Sequence, residues 1–282
     1  MQRVLSTYLF VDRKLTAALL GEVARADILA IELFCAPGHF DYRREGEARE
    51  LGSWLAGHGL ALHSIHAPTT RDFNPSRESG TPLSISDPER VRRLDAVDEI
   101  KRALDLAEHL SFPYCVQHVA TSRDLAGPRR WDAAFSSLEH LSLFARQRGV
   151  TLALENTPGE MATPANLKSF LEETRLAGLK LCFDAGHAHL AGNAPAALSL
   201  VAPMVATTHI HDNAGERDDH LLPYQGTIDW TATLAALPPG IPLVLELKRP
   251  GAAASGEPET FAEILQGARS VFEKFEEALA NV

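Results

Sequence analysis

The run from Thr208 to Trp230 concentrates side chains that can bind a metal ion. It opens with an apolar alternation that is typical of a strand and continues as a polar, turn-rich segment. The imidazole nitrogens and carboxylate oxygens in this run belong to His209, His211, Asp212, Asp218 and His220. Such groups are costly to bring together unless a cation shares their lone pairs. The run therefore indicates a metal site, and a solvated His-rich loop is the alternative that the other strand ends must exclude.

Short apolar runs alternate with amphipathic stretches along the whole chain, which predicts strands and helices in turn. The predicted strands are Val4–Phe10, Ile28–Phe34, Ala61–His66, Tyr114–His118, Thr151–Glu155, Lys180–Asp184, Ala206–His211 and Pro242–Leu247. The predicted helices include Arg13–Arg25, Glu47–His58, Pro88–Leu110, Trp131–Arg148, Pro164–Leu176 and Pro258–Ala280. This alternation favours a closed parallel sheet, so we expect one domain, a single (β/α)8 TIM barrel over residues 1–282. A doubly wound open sheet would need a Gly-rich phosphate turn after an early strand, and the sequence has none.

Functional side chains of such a barrel lie at the carboxyl ends of its strands, around the C-terminal mouth. The third to eighth predicted strands all end in residues that can ligate a metal. These residues are His66, His118, Glu155, Asp184 with His187, His209 and Glu246. Successive strands would thus direct potential ligands to one ring, which predicts a metal centre at the mouth of the barrel.

Carboxylates mixed with imidazoles, without a thiolate, favour zinc, manganese, cobalt or iron(II) over a structural zinc cage. One ion can be held by one residue from each of strands five to eight. These four residues are Glu155, Asp184, His209 and Glu246. We expect a single divalent ion on this set.

The remaining candidates exceed what one ion needs, and they form two further sets. They are His66 and His118, next to Glu155 around the barrel, and His187 with the loop residues Asp218 and His220. A carboxylate can bridge two cations, so up to three ions are chemically feasible.

Several other polar residues near these positions have weaker cases. Glu32 lies within the second predicted strand, where a buried carboxylate needs a partner. It either lies behind the ligands or faces the substrate, or it forms a structural ion pair, and the sequence favours neither alternative. His189 and His211 are expected behind the ligands. Solvated or packing roles are expected for the histidines of predicted loops and helix surfaces, namely His39, His58, His63, His109 and His140.

The composition is that of an ordinary globular protein, with 45% hydrophobic and 23% charged residues. The first residues lack the features of a secretory signal and no apolar run reaches the roughly 18 residues of a membrane span, so we expect a cytoplasmic protein. Cys35, Cys115 and Cys182 are scattered in apolar segments, as reduced core residues are. The net charge of −10 disfavours a nucleic-acid surface, although bound cations would offset it locally.

Several motifs together resemble one superfamily. They are Glu-Asn-Thr-Pro-Gly at 155–159, Asp-x-x-His at 184–187, and His209 followed by Asp-x-His at 218–220 and Gly-x-Ile-x-Trp at 226–230. This set is similar to that of the xylose isomerase-like TIM-barrel superfamily, which includes sugar phosphate isomerases/epimerases and endonuclease IV. The resemblance covers nearly the whole chain, and it is specific to the superfamily rather than to one reaction.

In the isomerase and epimerase branch, the resemblance implies one divalent ion, usually manganese, cobalt or magnesium, on the four residues from strands five to eight. Glu155 and Glu246 would transfer a proton at a carbon next to a carbonyl, through an enediolate. Substrate contacts are expected from His187, His66 and His211. The substrate would be a sugar or sugar phosphate, and the protein would act in carbohydrate metabolism.

In the endonuclease IV branch, the resemblance implies three zinc ions and hydrolysis of a phosphodiester at abasic sites in DNA. Nine positions would hold these ions, and every residue type matches. The nine are His66, His118, Glu155, Asp184, His187, His209, Asp218, His220 and Glu246.

The segment after His66 looks more like a lid over a small substrate than like the loop by which these endonucleases insert an aromatic residue into DNA. Arg71, Phe73 and Arg77 would cover a sugar or bind its phosphate, or they are simply exposed loop residues. The run 212–219 is acidic where a DNA backbone would approach. We therefore expect a sugar isomerase or epimerase, with the phosphodiesterase as the alternative and a catalytically silent sugar- or metal-binding barrel as a third reading. Neither a membrane nor a nucleic acid is expected as a partner, and a homo-oligomer is left open.

Overall fold

The computed structural model describes residues 1–74, 80–249 and 260–280. Within them, parallel strands alternate with helices. The strands are β1 (Arg3–Ser6), β2 (Ala30–Phe34), β3 (Ala61–His66), β4 (Tyr114–His118), β5 (Thr151–Glu155), β6 (Leu179–Asp184), β7 (Val205–His209) and β8 (Leu243–Leu245). The helices are α1 (Ala17–Arg25), α2 (Glu45–His58), α3 (Arg90–Leu104), α4 (Pro128–Arg146), α5 (Pro164–Thr174), α6 (Ala185–Leu190), α7 (Ala194–Val201), α8 (Trp230–Ala235) and α9 (Phe261–Ala280).

The strands form one sheet that curls until its two ends meet. Their order is β7-β6-β5-β4-β3-β2-β1-β8, so each strand pairs with its sequence neighbour and β8 returns to β1. Ile210, directly after β7, bridges in parallel to Leu245 and donates its N–H to the carbonyl of Val244 at 2.8 Å. The expected (β/α)8 barrel is confirmed, and a doubly wound open sheet is excluded.

Side-chain alternation decides which strand residues reach the interior of the barrel. Small buried clusters, separate from the large core between sheet and helices, lie on this inner face; they are Val4 with Ala30 and Val244, and Val116 with Ala153 and Cys182. On each of these strands the residue two positions after the cluster residue points the same way, toward the mouth. On all six strands that residue is charged or polar: Ser6, Glu32, His118, Glu155, Asp184 and Glu246.

The predicted end of the first strand was wrong. The strand was expected over Val4–Phe10, but it ends at Ser6 and a 3-10 turn follows at Thr7–Phe10. The Ser6 hydroxyl accepts the N–H of Tyr8 at 3.4 Å. A side-chain cap therefore ends the strand inside an apolar run that hydropathy alone reads as continuous.

The last two strands are also shorter than predicted. The seventh, expected over Ala206–His211, ends at His209, and the eighth, expected over Pro242–Leu247, spans Leu243–Leu245. Beyond His209 the chain leaves regular pairing after the single bridge of Ile210.

The predicted helices are present with shifted ends. The stretch Pro88–Leu110 is divided into α3 and a 3-10 turn at Asp105–Glu108. Three short helices, α6, α7 and α8, were not predicted, because six to eight residues give too little periodicity. The predicted start of the last helix at Pro258 lies outside the described residues, and α9 begins at Phe261.

The cysteines, the arginines of the predicted lid and the absence of a predicted membrane span can be compared with the structure. Cys35, Cys115 and Cys182 are free and buried, as reduced core residues are. Arg71, expected at the lid, makes an ion pair with Asp95, while Arg77 lies outside the described residues. Within the described ranges, no helix is both long and apolar enough to cross a membrane.

The loop after β7 is anchored by Asp212. Its backbone pairs with Leu221 in both directions, at 2.8 and 2.9 Å, and so closes the loop between them. Its buried carboxylate accepts the N–H groups of Asn213, Tyr224 and Ile228 and the indole N–H of Trp230, at 2.8–3.2 Å. These neutral donors satisfy a carboxylate that burial would otherwise destabilise. Asp212 therefore holds the loop rather than a metal.

Gly226 is required for this anchor because the chain passes very close to it. A Cβ atom at Gly226 would lie 2.3 Å from both Oδ1 of Asp212 and the carbonyl oxygen of Asn213. Any larger residue would push the second half of the loop away from the carboxylate. The Gly-x-Ile-x-Trp motif is thus explained by packing: its glycine permits the approach, while Ile228 and Trp230 donate to Asp212.

Asp212→Asn should destabilise the fold by about 1–3 kcal/mol for each N–H donor left without an acceptor. The amide has nearly the same shape, but its NH2 group cannot accept a hydrogen bond. Urea unfolding measures the loss. Tyr224 and Ile228 donate to different oxygens of Asp212, so amide hydrogen exchange should accelerate at the one that faces the new NH2 group. Asp219→Asn, at an exposed site of the same loop, is the control and should stay within about 0.5 kcal/mol. Equal unfolding curves for the two variants would contradict the anchor.

Candidate metal centre

The ends of β5 to β8 bring four donor side chains together, which we call the inner group. It consists of Glu155, Asp184, His209 and Glu246, whose donor atoms all lie within 4.8 Å of one another. Nδ1 of His209 faces the three carboxylates, at 3.3 Å from Glu155, 3.8 Å from Asp184 and 3.7 Å from Glu246. All four are buried. The structure thus assembles the set that the sequence predicts for one ion.

Strand register produces this convergence. His118 pairs with Glu155 across β4 and β5, and Asp184 pairs with His209 across β6 and β7. Parallel strands place their carboxyl ends at the same edge of the barrel. The ligand candidates at the strand ends therefore lie together at the mouth, although 180 positions separate His66 from Glu246.

Unsatisfied atoms in the inner group fit a divalent cation. Oε1 of Glu155 and Nδ1 of His209 are buried without a hydrogen-bond partner among the described residues. Buried polar atoms nearly always have a hydrogen-bond partner or a bound ion, so these two atoms indicate a ligand at this site. Three carboxylates and one imidazole are a donor set that suits manganese, magnesium, cobalt or zinc. The residues present therefore fit the metal that the sequence predicts.

Glu155 also contacts a second pair of imidazoles, and these three residues form the histidine pair group. Its Oε2 lies 3.1 Å from Nε2 of His66 and 3.0 Å from Nε2 of His118. Nδ1 of His66 donates to the carbonyl of Ala67 at 2.8 Å, so in the neutral ring Nε2 carries the lone pair. The two oxygens of Glu155 therefore serve different sides of the mouth.

A third set, the loop group, lies on the other side of Asp184. His187 and His220 both place Nε2 3.2 Å from Oδ2 of Asp218. Their Nδ1 atoms donate to backbone carbonyls, of Asn156 at 2.9 Å and of Glu246 at 2.8 Å. The lone pairs of both Nε2 atoms thus face a common space beside Asp218.

His211 was expected behind the ligands. One of its ring nitrogens lies within 4.8 Å of the other donor atoms of the loop group, so we include it in that group. Its Nε2 lies 3.1 Å from Oδ1 of Asp184. Gly186 makes room for the ring, since a Cβ there would lie 2.0 Å from Cε1 of His211. The Asp-Ala-Gly-His sequence was the signal for this close approach.

Asn156 is a functional neighbour that the sequence reasoning did not single out. Its side chain accepts the N–H of Asp184 and donates to the Asp184 carbonyl, both at 2.8 Å. The Asp184 carboxylate in turn caps α6 by accepting the N–H of His187 at 2.6 Å. The Glu-Asn pair of β5 therefore fixes the end of β6 as well as supplying a ligand candidate. Its position in the Glu-Asn-Thr-Pro-Gly motif was the available signal.

Charges at the mouth stabilise one another. Burial acts to raise the pKa of Glu155, but the positive charges of His209 and His118 lower it well below its usual value. Burial likewise acts to lower the pKa of His187, and Asp184 and Asp218 raise it well above its usual value. Carboxylates are thus kept ionised, and without a cation protons are held on the imidazoles beside them.

The remaining acidic and histidine side chains near the barrel mouth bond to other protein groups. Glu32 accepts Nε2–H of His209 at 3.0 Å; burial acts to raise its pKa, but the charge of His209 lowers it to about 2. His63, expected on a loop or helix surface, lies in β3 with Nε2 3.0 Å from the hydroxyl of Thr207. His39 is buried between the Arg13 carbonyl and the Thr7 hydroxyl, while His189 contacts Thr227, away from the donor groups.

Two curated relatives are about 30% identical to this chain over the aligned residues. An uncharacterised protein of Sinorhizobium fredii is 29% identical over 208 residues, which cover 65% of this chain and 64% of the relative. An uncharacterised protein of Methanocaldococcus jannaschii is 30% identical over 189 residues, or 61% and 59% of the two chains. This chain thus spans less than two thirds of either relative.

Solved structures match over nearly the full length. A D-tagatose 3-epimerase-like protein has a TM-score of 0.80 at 19% identity, covering 100% of this chain and 99% of the other. An L-ribulose 3-epimerase has a TM-score of 0.79 at 18% identity, covering 99% and 95%. A zinc-bound IOLI protein has a TM-score of 0.76 at 15% identity, covering 100% and 99%. At these identities the similarity is one of fold.

One protein family is described as the xylose isomerase-like TIM barrel, and its pattern matches residues 20–271. That range contains all eight strands except β1 and all nine ligand candidates. The closed barrel, the donors at the strand ends and this match agree. The chain belongs to the xylose isomerase-like TIM barrel family.

Proposed function

We propose that this chain is a metal-dependent sugar or sugar-phosphate isomerase/epimerase. The observation that carries the proposal is the arrangement of Glu155 and Glu246, which approach Nδ1 of His209 to 3.3 and 3.7 Å from different strands. Two glutamates on one ion site are what proton transfer at a carbon next to a carbonyl requires, one to remove the proton and one to return it. The epimerase structures that share the fold support the same class of substrate.

Glu155, Asp184, His209 and Glu246 would hold the ion. When bound, a divalent cation supplies Lewis-acid polarisation of substrate oxygens. One of the two glutamates, Glu155 or Glu246, would remove the proton from the substrate carbon next to the carbonyl and leave an enediolate, and the other would return a proton to that carbon. Their burial keeps water from competing for that proton. The imidazoles of His66, His187 and His211 are the proposed substrate contacts.

The second candidate is a zinc-dependent phosphodiesterase that acts at abasic sites in DNA. It is favoured by the presence of three donor groups around Glu155 and Asp184 rather than one. The imidazoles of His66 and His118 both approach Oε2 of Glu155, as a carboxylate bridging two ions would need. The acidic run at 212–219 and the net charge of −10 count against a DNA surface.

Glu246→Gln should lower turnover of a keto-sugar about 10²–10⁴-fold, because the amide cannot exchange a proton. The measurement is epimerisation in deuterated water, in which the native protein should incorporate deuterium at one carbon of the substrate. Glu99→Gln is the matched control, since Glu99 is equally buried and bonds Tyr42 away from the mouth. Unchanged turnover in Glu246→Gln would remove Glu246 from the reaction.

The metal content of the purified protein separates the two candidates. We expect one exchangeable divalent ion per chain, on the inner group, when the protein is prepared without added metal or a His-tag. Elemental analysis gives the number, and a crystal map at the zinc edge gives the position. Three zinc ions that resist mild chelation and occupy all three donor groups would favour the phosphodiesterase, and assays on abasic duplexes would follow.

Metal affinity should fall as the pH is lowered. Burial acts to lower the pKa of His209, but Cys182 and the neighbouring carboxylates raise it well above the usual value. A proton must therefore leave His209 before the cation binds, so affinity rises through the neutral and mildly alkaline range until this imidazole is neutral. Zinc titration from pH 6 to pH 9 should show a gain of about tenfold per pH unit for each proton displaced. A flat profile would contradict this competition.

A further inference from the structure

We propose that Glu32 is a positioning residue for the metal centre, because it determines which ring nitrogen of His209 faces the inner group. The inference rests on the proposed metal site but does not depend on the sugar reaction. Glu32 lies on β2, and no donor of the three groups comes from that strand. Among the described residues its side-chain hydrogen bonds go to His209 and Ser64.

The contact between the two side chains is well defined. Oε1 of Glu32 lies 3.0 Å from Nε2 of His209, and both side chains are fully buried. A carboxylate that accepts this hydrogen bond needs the proton on Nε2. In the neutral ring, Nδ1 then carries the lone pair and points at the three carboxylates of the inner group.

Ser64 fixes the other oxygen of Glu32. Its hydroxyl donates to Oε2 at 2.8 Å, from the neighbouring strand β3. Glu32 is thus held from two sides, and its oxygens cannot exchange places without breaking one of the bonds. The two hydrogen bonds from Ser64 to Glu32 and from His209 to Glu32 therefore fix the His209 ring of β7 against β2 and β3, which lie nearly opposite β7 in the strand order.

If Glu32 and His209 formed only a structural ion pair, the surroundings of the second ring nitrogen of His209 would differ. If His209 served only as a counter-ion to Glu32, its second nitrogen would not need to face acidic groups from three other strand ends. Nδ1 has no hydrogen-bond partner among the described residues, and three carboxylates converge on it at 3.3–3.8 Å. Metal-binding imidazoles commonly have this arrangement, with the far N–H donated to a carboxylate that orients the ring and raises its basicity.

Glu32→Gln tests the proposal in the full chain, since the amide keeps the shape of the side chain but removes its charge. Zinc and manganese affinities, measured by competition with a chelator, should fall about 10–100-fold in Glu32→Gln and stay within about threefold in Glu99→Gln. Glu99 is the matched control because it is a buried glutamate with a Tyr42 donor at 2.5 Å on the outer side of the barrel. Thermal unfolding of both metal-free variants separates loss of stability from loss of metal binding.

A second measurement does not depend on any Glu32 variant. In the zinc-loaded native protein labelled with ¹⁵N-histidine, the His209 ring should show its proton on Nε2 and its zinc bond at Nδ1. A ring protonated on Nδ1 would overturn the proposal, as would equal metal affinities in Glu32→Gln and Glu99→Gln. If Glu32→Gln weakens metal binding as expected but the native protein turns over no sugar, only the proposed reaction is refuted.

Discussion

The burial of Glu155 is the constraint on which the mouth of the barrel depends. A carboxylate with 1% exposure is stable as an anion only if positive or hydrogen-bonding groups surround it. Its Oε2 faces His66 and His118, and its Oε1 faces His187 and His209, at 3.0–3.3 Å. These imidazoles come from different strand ends, so the register of the barrel has to be correct before the charge is compensated. Formation of the barrel and assembly of the site therefore depend on each other.

The barrel supplies the inner group directly, whereas the loop group needs additional support. Glu155, Asp184 and His209 end regular strands, and hydrogen bonds between neighbouring strands fix their positions. Asp218 and His220 instead lie on a long loop, and His220 has a left-handed backbone with φ of 48°. The anchor at Asp212 gives this loop a defined path, which explains why a buried carboxylate in a ligand-rich run binds N–H groups instead of a cation.

Sequence patterns predicted the barrel and the principal donors because both follow strand periodicity. The ends of β3 to β6 were located correctly, and with them His66, His118, Glu155 and Asp184. The approach of the His211 ring to Asp184 was not foreseen, because it depends on the space that Gly186 leaves. The partner of Glu32 is 177 positions away, so strand alternation revealed its burial but not its contact. The role of Asp212 likewise depends on donors that only the folded loop brings near.

One member of each outer donor group is open to solvent, and this bears on the choice of reaction. Side chains of the inner group are at most 5% exposed, whereas His118 in the histidine pair group is 25% exposed and Asp218 in the loop group 36%. A molecule entering the mouth therefore meets His118 and Asp218 before the inner group. If only the inner group holds an ion, the outer imidazoles are free to donate hydrogen bonds to substrate hydroxyls, as sugar recognition needs. If all three groups hold ions, those nitrogens are ligands and the mouth presents cations, which suits a phosphate instead. The same side chains thus support either reaction, and occupancy of the outer groups decides between them.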